Sequence, residues 1–186
     1  MKRTILMAIF AMATAMCALA QNIPAGIRME IADSERDDSE YSIFTYKDDD
    51  GTFGYYLGLG RVMDYVSIFR DDITDMSFAD IKETCICLGG TYDEALATLG
   101  SILELYDKDV DTTVEFQGRA ATGAERLGEK DTSLCIVQKK PLGGKRLVFH
   151  FNCGKRQAQT YLPKSVVKEL RSGLKIDKKL HPKQHR

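Results

Sequence analysis

The chain has 186 residues, of which 28% are charged and 44% are hydrophobic. These proportions are ordinary for a folded soluble protein, so they indicate neither global disorder nor a bundle of membrane-spanning helices. Residues 21–111 carry 7 Lys and Arg against 21 Asp and Glu, a net charge of −14, whereas residues 112–186 carry 17 against 6, a net charge of +11. Two interpretations follow: the halves pack together and neutralise each other, or the basic half meets an anionic lipid, polysaccharide or partner protein.

The first twenty residues have the three parts of an export signal. A positive start at residues 2–3 precedes an apolar run at residues 5–19, and the Ala-Leu-Ala of residues 18–20 suits a signal peptidase that cleaves before Gln21. An apolar run of about 15 residues is short for a bilayer-spanning helix, which needs roughly 20, so we favour cleavage over a retained anchor. Cys17 leaves lipidation as an alternative, although the residues before it do not form a lipobox.

Beyond this segment, one domain is expected. Neither Asn22 nor Asn152 lies in a glycosylation sequon, and with the short, methionine-rich signal this favours bacterial export, to the periplasm or the medium. Cleavage leaves 166 residues, a length typical of a single core. We predict a cleaved signal at residues 1–20, a globular α+β domain at 21–175 and a basic, flexible tail at 176–186.

Strands are predicted in both halves of the remaining chain. Alternating apolar residues predict a first strand over residues 27–31, and the acidic run 33–40 is interpreted as a loop. Asp49-Asp50-Gly51 supplies a tight turn between two aromatic-rich strands, and Gly54, Gly58 and Gly60 favour a bulge or a close backbone approach in the second of them. Further strands are predicted at residues 41–46, 52–59, 62–69, 84–88, 114–121, 133–138, 145–152 and 158–162, with residues 71–82 left open as loop, strand or short helix.

The first helix is predicted at about residues 91–107. Thr91 and Glu94 have the spacing of a capping box, in which each side chain satisfies a backbone donor of the other residue. Apolar residues recur at intervals of three and four, so one face packs on the sheet. They are Ala95, Leu96, Leu99, Ile102, Leu103 and Tyr106.

The second helix is predicted at about residues 164–172. Pro163 suits its first turn, and Gly173 is predicted to end it. The order of strands, helix, strands and helix predicts an α+β fold, a mostly antiparallel sheet backed by two helices. A Thr-Tyr pair at residues 91–92 and again at 160–161 is a weak indication of a duplicated unit.

Four cysteines remain after cleavage, which permits two disulfides in an exported chain. Cys85 and Cys87 point the same way on a strand and are interpreted as buried small hydrophobes. If residues 143–145 form a three-residue hairpin loop, the register places Cys135 opposite Cys153 for a disulfide, whereas a two-residue loop would separate them. The spacings lack the Cys-x-x-Cys of a zinc ribbon or a thioredoxin-like centre.

The histidines offer little for catalysis or metal binding. His150, Asn152 and Cys153 are the residue types of a cysteine hydrolase, but on a strand Cys153 lies on the opposite face from the other two. His181 and His185 stand four apart, yet the proline between them breaks a helix.

The aspartates and tyrosines of the first hairpin also have a structural interpretation that we prefer. Residues 48–51 carry carboxylates without the ligand spacing of an EF-hand, so they are expected to form a solvated turn. Tyr41, Tyr46, Tyr55 and Tyr56 could stack on a sugar ring, but we favour cross-strand packing. The sequence predicts no catalytic residue, no cofactor and no metal site.

We therefore predict an exported binding or interaction module of the bacterial envelope rather than an enzyme. A small secreted hydrolase and a structural component of an envelope assembly are the alternatives. The expected partner is an anionic polysaccharide, a lipid headgroup or an envelope protein, and no nucleic acid. Lys164, Lys168, Arg171 and Lys175 recur at three or four residues and form one basic stripe on the second helix, either a partner contact or a solvated face.

Overall fold

A computed structural model describes residues 24–36, 39–63, 81–122, 126–141, 143–153 and 156–182. The expected signal segment, the predicted strand beyond residue 63 and His185 lie outside these residues. Within the described ranges, no helix has both the length and the apolar character needed to cross a bilayer.

Eight strands form one antiparallel sheet, in which each strand pairs with its neighbours in chain order. They are β1 (Arg28–Arg36), β2 (Ser39–Lys47), β3 (Phe53–Met63), β4 (Ile81–Gly89), β5 (Thr113–Thr122), β6 (Lys130–Lys139), β7 (Lys145–Cys153) and β8 (Arg156–Leu162). Helix α1 (Tyr92–Leu105) follows β4, and helix α2 (Lys164–Leu180) follows β8. The predicted α+β class, a mostly antiparallel sheet with two helices, is confirmed.

Four strands and a helix therefore occur twice along the chain. The Thr-Tyr pairs do not mark this repeat at equivalent positions. Thr91 is the N-cap of α1, whereas Thr160 lies inside β8. The order of strands and helices is therefore repeated, but the two Thr-Tyr pairs do not occupy equivalent positions in the repeat.

The sheet curls until its last strand approaches its early ones. The Thr160 hydroxyl in β8 donates to the Leu59 carbonyl oxygen in β3 at 2.8 Å. The Tyr41 hydroxyl in β2 donates to the Tyr161 carbonyl oxygen at 2.9 Å. A register shift at the end of β3 confirms the predicted bulge, and Gly60 there adopts a φ of +82° that other residues rarely accept. Bulges increase local twist, which favours this curl.

The main core lies between the helices and the sheet face that they cover. Ile43, Leu57 and Phe149 from the sheet, Leu99 from α1 and Leu170 from α2 are at most 1% exposed in this core. The first helix has the face that its periodicity predicts.

The capping box of α1 is also confirmed. The Thr91 hydroxyl accepts from the Glu94 backbone N–H at 3.2 Å, and the Glu94 carboxylate accepts from the Thr91 N–H at 3.1 Å. The helix begins at Tyr92 and ends at Leu105, close to its predicted bounds.

The acidic run at residues 33–40 is not the predicted loop. Residues 33–36 continue β1, and residues 39–40 begin β2. The described acidic side chains of this run are exposed, and β1 is an edge of the sheet, where charged side chains remain solvated without disrupting the strand. Ser34, which is buried, donates to the Glu169 carboxylate of α2 at 2.8 Å.

The second helix is longer than predicted. Gly173 does not end it, and α2 continues to Leu180, so residues 176–180 are helical rather than a flexible tail. The glycine serves packing: a Cβ at Gly173 would lie 2.7 Å from the Cβ of Ala32 in β1. Here glycine is needed for the close approach of helix and strand, not for a helix end.

A smaller cluster lies on the opposite face of the sheet, across β2 to β4. Phe44, Tyr46, Tyr56 and Cys85 are buried there. The Phe44 and Tyr56 rings stack with centroids 5.6 Å apart, and Tyr46 meets Tyr56 edge-on at 6.3 Å. Such pairs add to the stability gained from burial alone.

The buried, charged side chain of Arg119 lies beside this cluster. Arg119 of β5 is 6% exposed. Its guanidinium lies 2.8 Å from the Asp48 carboxylate and donates to the Gly128 carbonyl oxygen at 2.7 Å and to the Tyr56 hydroxyl at 3.3 Å. Lys130 approaches the other oxygen of Asp48 at 3.4 Å.

The two predicted hairpins form, but the second has a different register. Lys47 pairs with Phe53, and the intervening turn contains Gly51 with φ +87°, as predicted. In the second hairpin, Lys139 pairs with Lys145, which leaves a loop of residues 140–144 rather than three residues.

This register rules out the predicted disulfide. Cys135 faces Phe149, and Cys153 lies four residues farther along β7, roughly 13 Å at strand spacing. Cys135 is a free thiol, as are Cys85 and Cys87. Burial raises the pKa of Cys85 and of Cys135 to about 12, so both behave as buried apolar groups at neutral pH.

Ion pairs join the acidic half of the chain to the basic half. Among the described residues, five of seven such pairs cross between the halves. They are Arg119–Asp48, Lys130–Asp48, Arg126–Asp49, Lys164–Asp107 and Lys178–Asp93. Mutual neutralisation therefore accounts for part of the charge polarity.

Candidate anion-binding pocket

A cavity of about 530 Å³ lies where the two edges of the curled sheet approach each other. Its walls come from the end of β1, the residue after α1, the β6–β7 loop and the junction of β8 with α2. Only the curl brings Arg36 of β1 to the same cavity as Lys164 of α2. These residues are 128 positions apart in the chain, since 164 − 36 = 128.

Cations dominate the walls of this cavity, which we call the basic pocket. They are Arg36, Lys140, Lys145, Arg146 and Lys164, and no carboxylate is among the lining residues that the structure describes. Clefts lined by one sign of charge concentrate ions of the opposite sign. The pocket is therefore suited to an anion.

The two lysines Lys164 and Lys145 are held by partners outside the cavity wall. Lys164 lies 3.1 Å from the Asp107 carboxylate, and the Lys145 ammonium donates to the Lys108 carbonyl oxygen. Arg36 and Lys140 make no ion pair with the described part of the chain. Within the described part of the chain, the pocket thus retains positive charge that no carboxylate offsets.

The N-terminus of α2 opens onto the same space. Pro163 is the N-cap, so the helix has no side-chain cap, and its first turn has no acidic residue. The hydrogen bond from the Val167 N–H to the Pro163 carbonyl oxygen is long, at 3.3 Å. The first N–H groups of a helix have no partner within the helix and carry partial positive charge, which adds to the field of the cations.

Arg146 is held in a defined position with a donor left over. Its guanidinium carbon lies 4.3 Å from the centroid of the Tyr161 ring, and it donates to the Gln138 side-chain oxygen at 3.2 Å. Its Nε is buried and has no hydrogen-bond partner. A buried unpaired donor is costly unless a ligand or water satisfies it.

Tyrosine hydroxyls fix the end of β8 beside the pocket. The Tyr106 hydroxyl donates to the Leu162 carbonyl oxygen, as that of Tyr41 does to Tyr161. Burial raises the pKa of Tyr106 above its ordinary value, so its hydroxyl stays protonated and continues to donate. These tyrosines position the walls.

Of the predicted basic stripe, the structure brings only Lys164 into the pocket. Lys168 and Lys175 are exposed along α2. Arg171 lies beside Gly100 of α1, where a Cβ would be 3.8 Å from the guanidinium. The stripe is therefore divided between the pocket, the helix–helix contact and solvent.

Other sequence candidates lie apart from the pocket. His150, Asn152 and Cys153 all lie in β7, and His181 bonds to Asp177 at 2.9 Å. The described residues contain no group of three or more His, Cys, Asp or Glu arranged to hold a metal ion.

The tyrosines of the first hairpin are buried. Tyr41 and Tyr55 belong to the main core, and Tyr46 and Tyr56 to the smaller cluster. Their rings are thus engaged in packing, the interpretation that we preferred, and give no open stacking surface.

Sequence reasoning missed four of the five pocket cations. A usable signal was the loop sequence Lys-Lys-Pro-Leu-Gly-Gly-Lys-Arg at residues 139–146, in which half of the positions are basic. Arg36 gives no such signal, because its role depends on the curl.

Comparisons with protein families, with characterised proteins and with solved structures find no match to this chain.

Proposed function

We propose that the protein is an exported binding module of the bacterial envelope and that the basic pocket holds an anionic group of its ligand. The observation that supports this most directly is a cavity of about 530 Å³ with five cations and no carboxylate among its described lining residues. The uncapped start of α2, at Pro163 and Lys164 in the pocket wall, adds backbone N–H donors to these cations.

A hydrolase receives less support. The two buried thiols, Cys85 and Cys135, have a raised pKa of about 12 and do not line the pocket. A thiol nucleophile instead needs a lowered pKa and access to substrate. Within the described lining there is also no histidine to act as a base.

Binding of an anion is tested with tripolyphosphate, a compact multivalent anion, by isothermal titration calorimetry on the purified protein. Removing two pocket charges in Arg36→Gln/Lys140→Gln should weaken binding at least tenfold. The matched control Lys168→Gln/Lys175→Gln removes two exposed charges of α2 outside the pocket and should change affinity less than twofold. Affinity should also fall as salt rises, since exposed charges are screened.

Two results would refute this assignment. Equal losses in both double variants would mean that general positive charge, not the pocket, attracts the anion. Absence of measurable binding at low ionic strength would mean that the pocket holds no anion.

Export is a separate part of the proposal. The sequence supports cleavage after Ala20, so the mature protein should begin at Gln21. Intact mass and N-terminal sequencing of the protein from a bacterial host's envelope and medium measure this directly. A lipidated Cys17 terminus, or an uncleaved chain in the cytoplasm, would contradict it.

A further inference from the structure

We propose that the ligand is an acidic oligosaccharide that leaves the basic pocket across the open sheet face at Tyr161. The inference rests on the proposed function, because the pocket anchors one charged group of the sugar chain. It adds the chemical class of the ligand and the surface that the rest of the ligand covers.

Tyr161 offers the aromatic surface that a sugar ring needs. It is 46% exposed, although the Arg146 guanidinium already lies over its ring. The backbone at Tyr161 is fixed beside the pocket because its carbonyl oxygen accepts from the Tyr41 hydroxyl. An exposed, positioned aromatic ring next to convergent polar groups is typical of a binding site for an organic ligand rather than a bare ion.

Neutral polar side chains extend from this ring along the sheet. Residues two apart on a strand share a face, so Gln159 lies on the same face as Tyr161. Gln159 pairs in register with His150, whose neighbour on that face is Asn152. Gln159 and Asn152 are exposed, and amides both donate to and accept from hydroxyl groups. On β6 the same face includes Gln138, the partner of Arg146.

This face carries no acidic residue on β6, β7 or β8. The described side chains of the face are Lys130, Thr132, Leu134, Ile136 and Gln138 on β6, Arg146, Val148, His150 and Asn152 on β7, and Gln159 and Tyr161 on β8. An approaching carboxylate-bearing chain meets the pocket cations first and no carboxylate among the described side chains of this face on the three strands. Charge complementarity therefore favours a polyanion that enters at the pocket.

A lipid surface fits this face less well than a saccharide. Membrane-surface binding uses a continuous apolar face that enters the headgroup region beside basic residues. On this face the exposed large apolar side chains are Leu134 and Tyr161. They do not form a continuous apolar surface, because Val148, which pairs with Tyr161, is buried and the other exposed groups nearby are amides. The mixture of one ring and several amides matches the hydroxyls and flat faces of sugars.

The test compares four probes on the same protein. They are a tetragalacturonate, the same tetrasaccharide with its carboxyl groups reduced, tripolyphosphate, and vesicles of phosphatidylglycerol and phosphatidylcholine. We expect the tetragalacturonate to bind and the reduced sugar to bind at least tenfold more weakly. Side-chain amide resonances of Asn152 and Gln159 should shift with the tetragalacturonate and not with tripolyphosphate.

Variants at the ring give a second readout. Tyr161→Ala should lower the ratio of tetragalacturonate affinity to tripolyphosphate affinity by about three- to tenfold, the value of one aromatic contact. Tyr161→Phe keeps the ring and should leave that ratio within twofold. The ratio of the two affinities is used because a displacement of Arg146 would weaken both anions alike and so leave the ratio unchanged.

The outcomes separate this inference from the proposed function. Tripolyphosphate binding with no tetragalacturonate binding, an unchanged ratio in Tyr161→Ala, or binding to vesicles alone would overturn the oligosaccharide and keep the anion pocket. Failure of every anion to bind would overturn both.

Discussion

Replacing the buried Arg119 by Met should strongly destabilise the protein. The substitution keeps an unbranched chain of similar length but removes the guanidinium, which contacts Asp48, the Gly128 carbonyl oxygen and the Tyr56 hydroxyl. Among the described residues, Asp48 would then retain only the longer contact to Lys130, at 3.4 Å.

The size of the expected stability loss follows from the two groups that lose their partner, the Asp48 carboxylate and the Gly128 carbonyl oxygen. Breaking a buried ion pair by removing one partner costs about 3–5 kcal/mol, since the remaining charge stays desolvated. The partly buried carbonyl oxygen of Gly128 also loses its donor, which costs at most about 1–3 kcal/mol, the penalty for a fully buried group. Because these penalties overlap in one network, we expect a total loss of about 3–5 kcal/mol for Arg119→Met.

The assay is urea unfolding followed by circular dichroism. If the slope is about 2 kcal/mol per molar, the midpoint should fall by about 1.5–2.5 M with little change in slope. Arg126→Met is the matched control, because the Arg126–Asp49 pair is 72% exposed on both sides and such pairs contribute about 0–1 kcal/mol. A loss below about 1 kcal/mol in Arg119→Met, or equal losses in the two variants, would refute the reasoning. In the double variant with Asp48→Asn, the loss should be smaller than the sum of the single losses.

Three further predictions concern packing and protonation. Leu99→Ala should destabilise the protein by about 2–5 kcal/mol in urea unfolding, as expected for a fully buried leucine, and a loss below about 0.5 kcal/mol would contradict the assigned helix face. Gly173→Ala should destabilise the protein by about 1–3 kcal/mol, because the added methyl group meets Ala32, although helix propensity alone predicts a gain of about 1 kcal/mol. Adding Ala32→Gly should restore stability. A measured gain in the single variant would contradict the packing role. Burial raises the pKa of Cys85 and of Cys135 to about 12 from 9.0, so between these pH values the folded state keeps protons that the unfolded state releases; stability is intact below pH 9 and falls between pH 9 and 12, by at most about 1.4 kcal/mol per pH unit for each thiol. In Cys135→Ala, the free energy of unfolding measured in urea should therefore fall less steeply between pH 9 and 10. An unchanged slope would contradict this.

Local features of the fold could be predicted from sequence because their signals are local. The Thr91 capping box and the periodicity around Leu99 define α1, since both depend on residues three or four apart. The turn at Gly51 likewise depends on one residue that tolerates positive φ. The α+β class follows from the order of such elements.

Features that depend on neighbours across the fold could not be predicted in this way. Residues 33–36 resemble a loop in composition, and only their place on an edge strand explains how acidic side chains fit a strand. Gly173 has the appearance of a helix end until Ala32 is placed against it. The register of Cys135 depends on the length of the β6–β7 loop, which the sequence left open.

The pocket belongs to the same class of feature. Arg36 and Lys164 lie near opposite ends of the domain, and nothing local relates one to the other. The curl of the sheet, supported by the Thr160 contact to Leu59, brings them to one cavity. Sequence spacing along α2 therefore identified only the one pocket cation that lies on that helix.

The uneven charge of the chain has two consequences that fall on different residues. Asp48 and Asp49 on the first hairpin, and Asp93 and Asp107 near the two ends of α1, take up cations of the second half. Only the Arg119–Asp48 contact is well buried on both sides, so the exposed pairs add little stability. The exposed pairs instead change the surface potential. One of them, Lys164–Asp107, offsets a pocket cation, whereas Arg36 and Lys140 at the pocket make no ion pair with the described residues. The positive potential that remains at the pocket therefore comes from cations without an ion-pair partner among the described residues, and the proposed ligand anion would be attracted there.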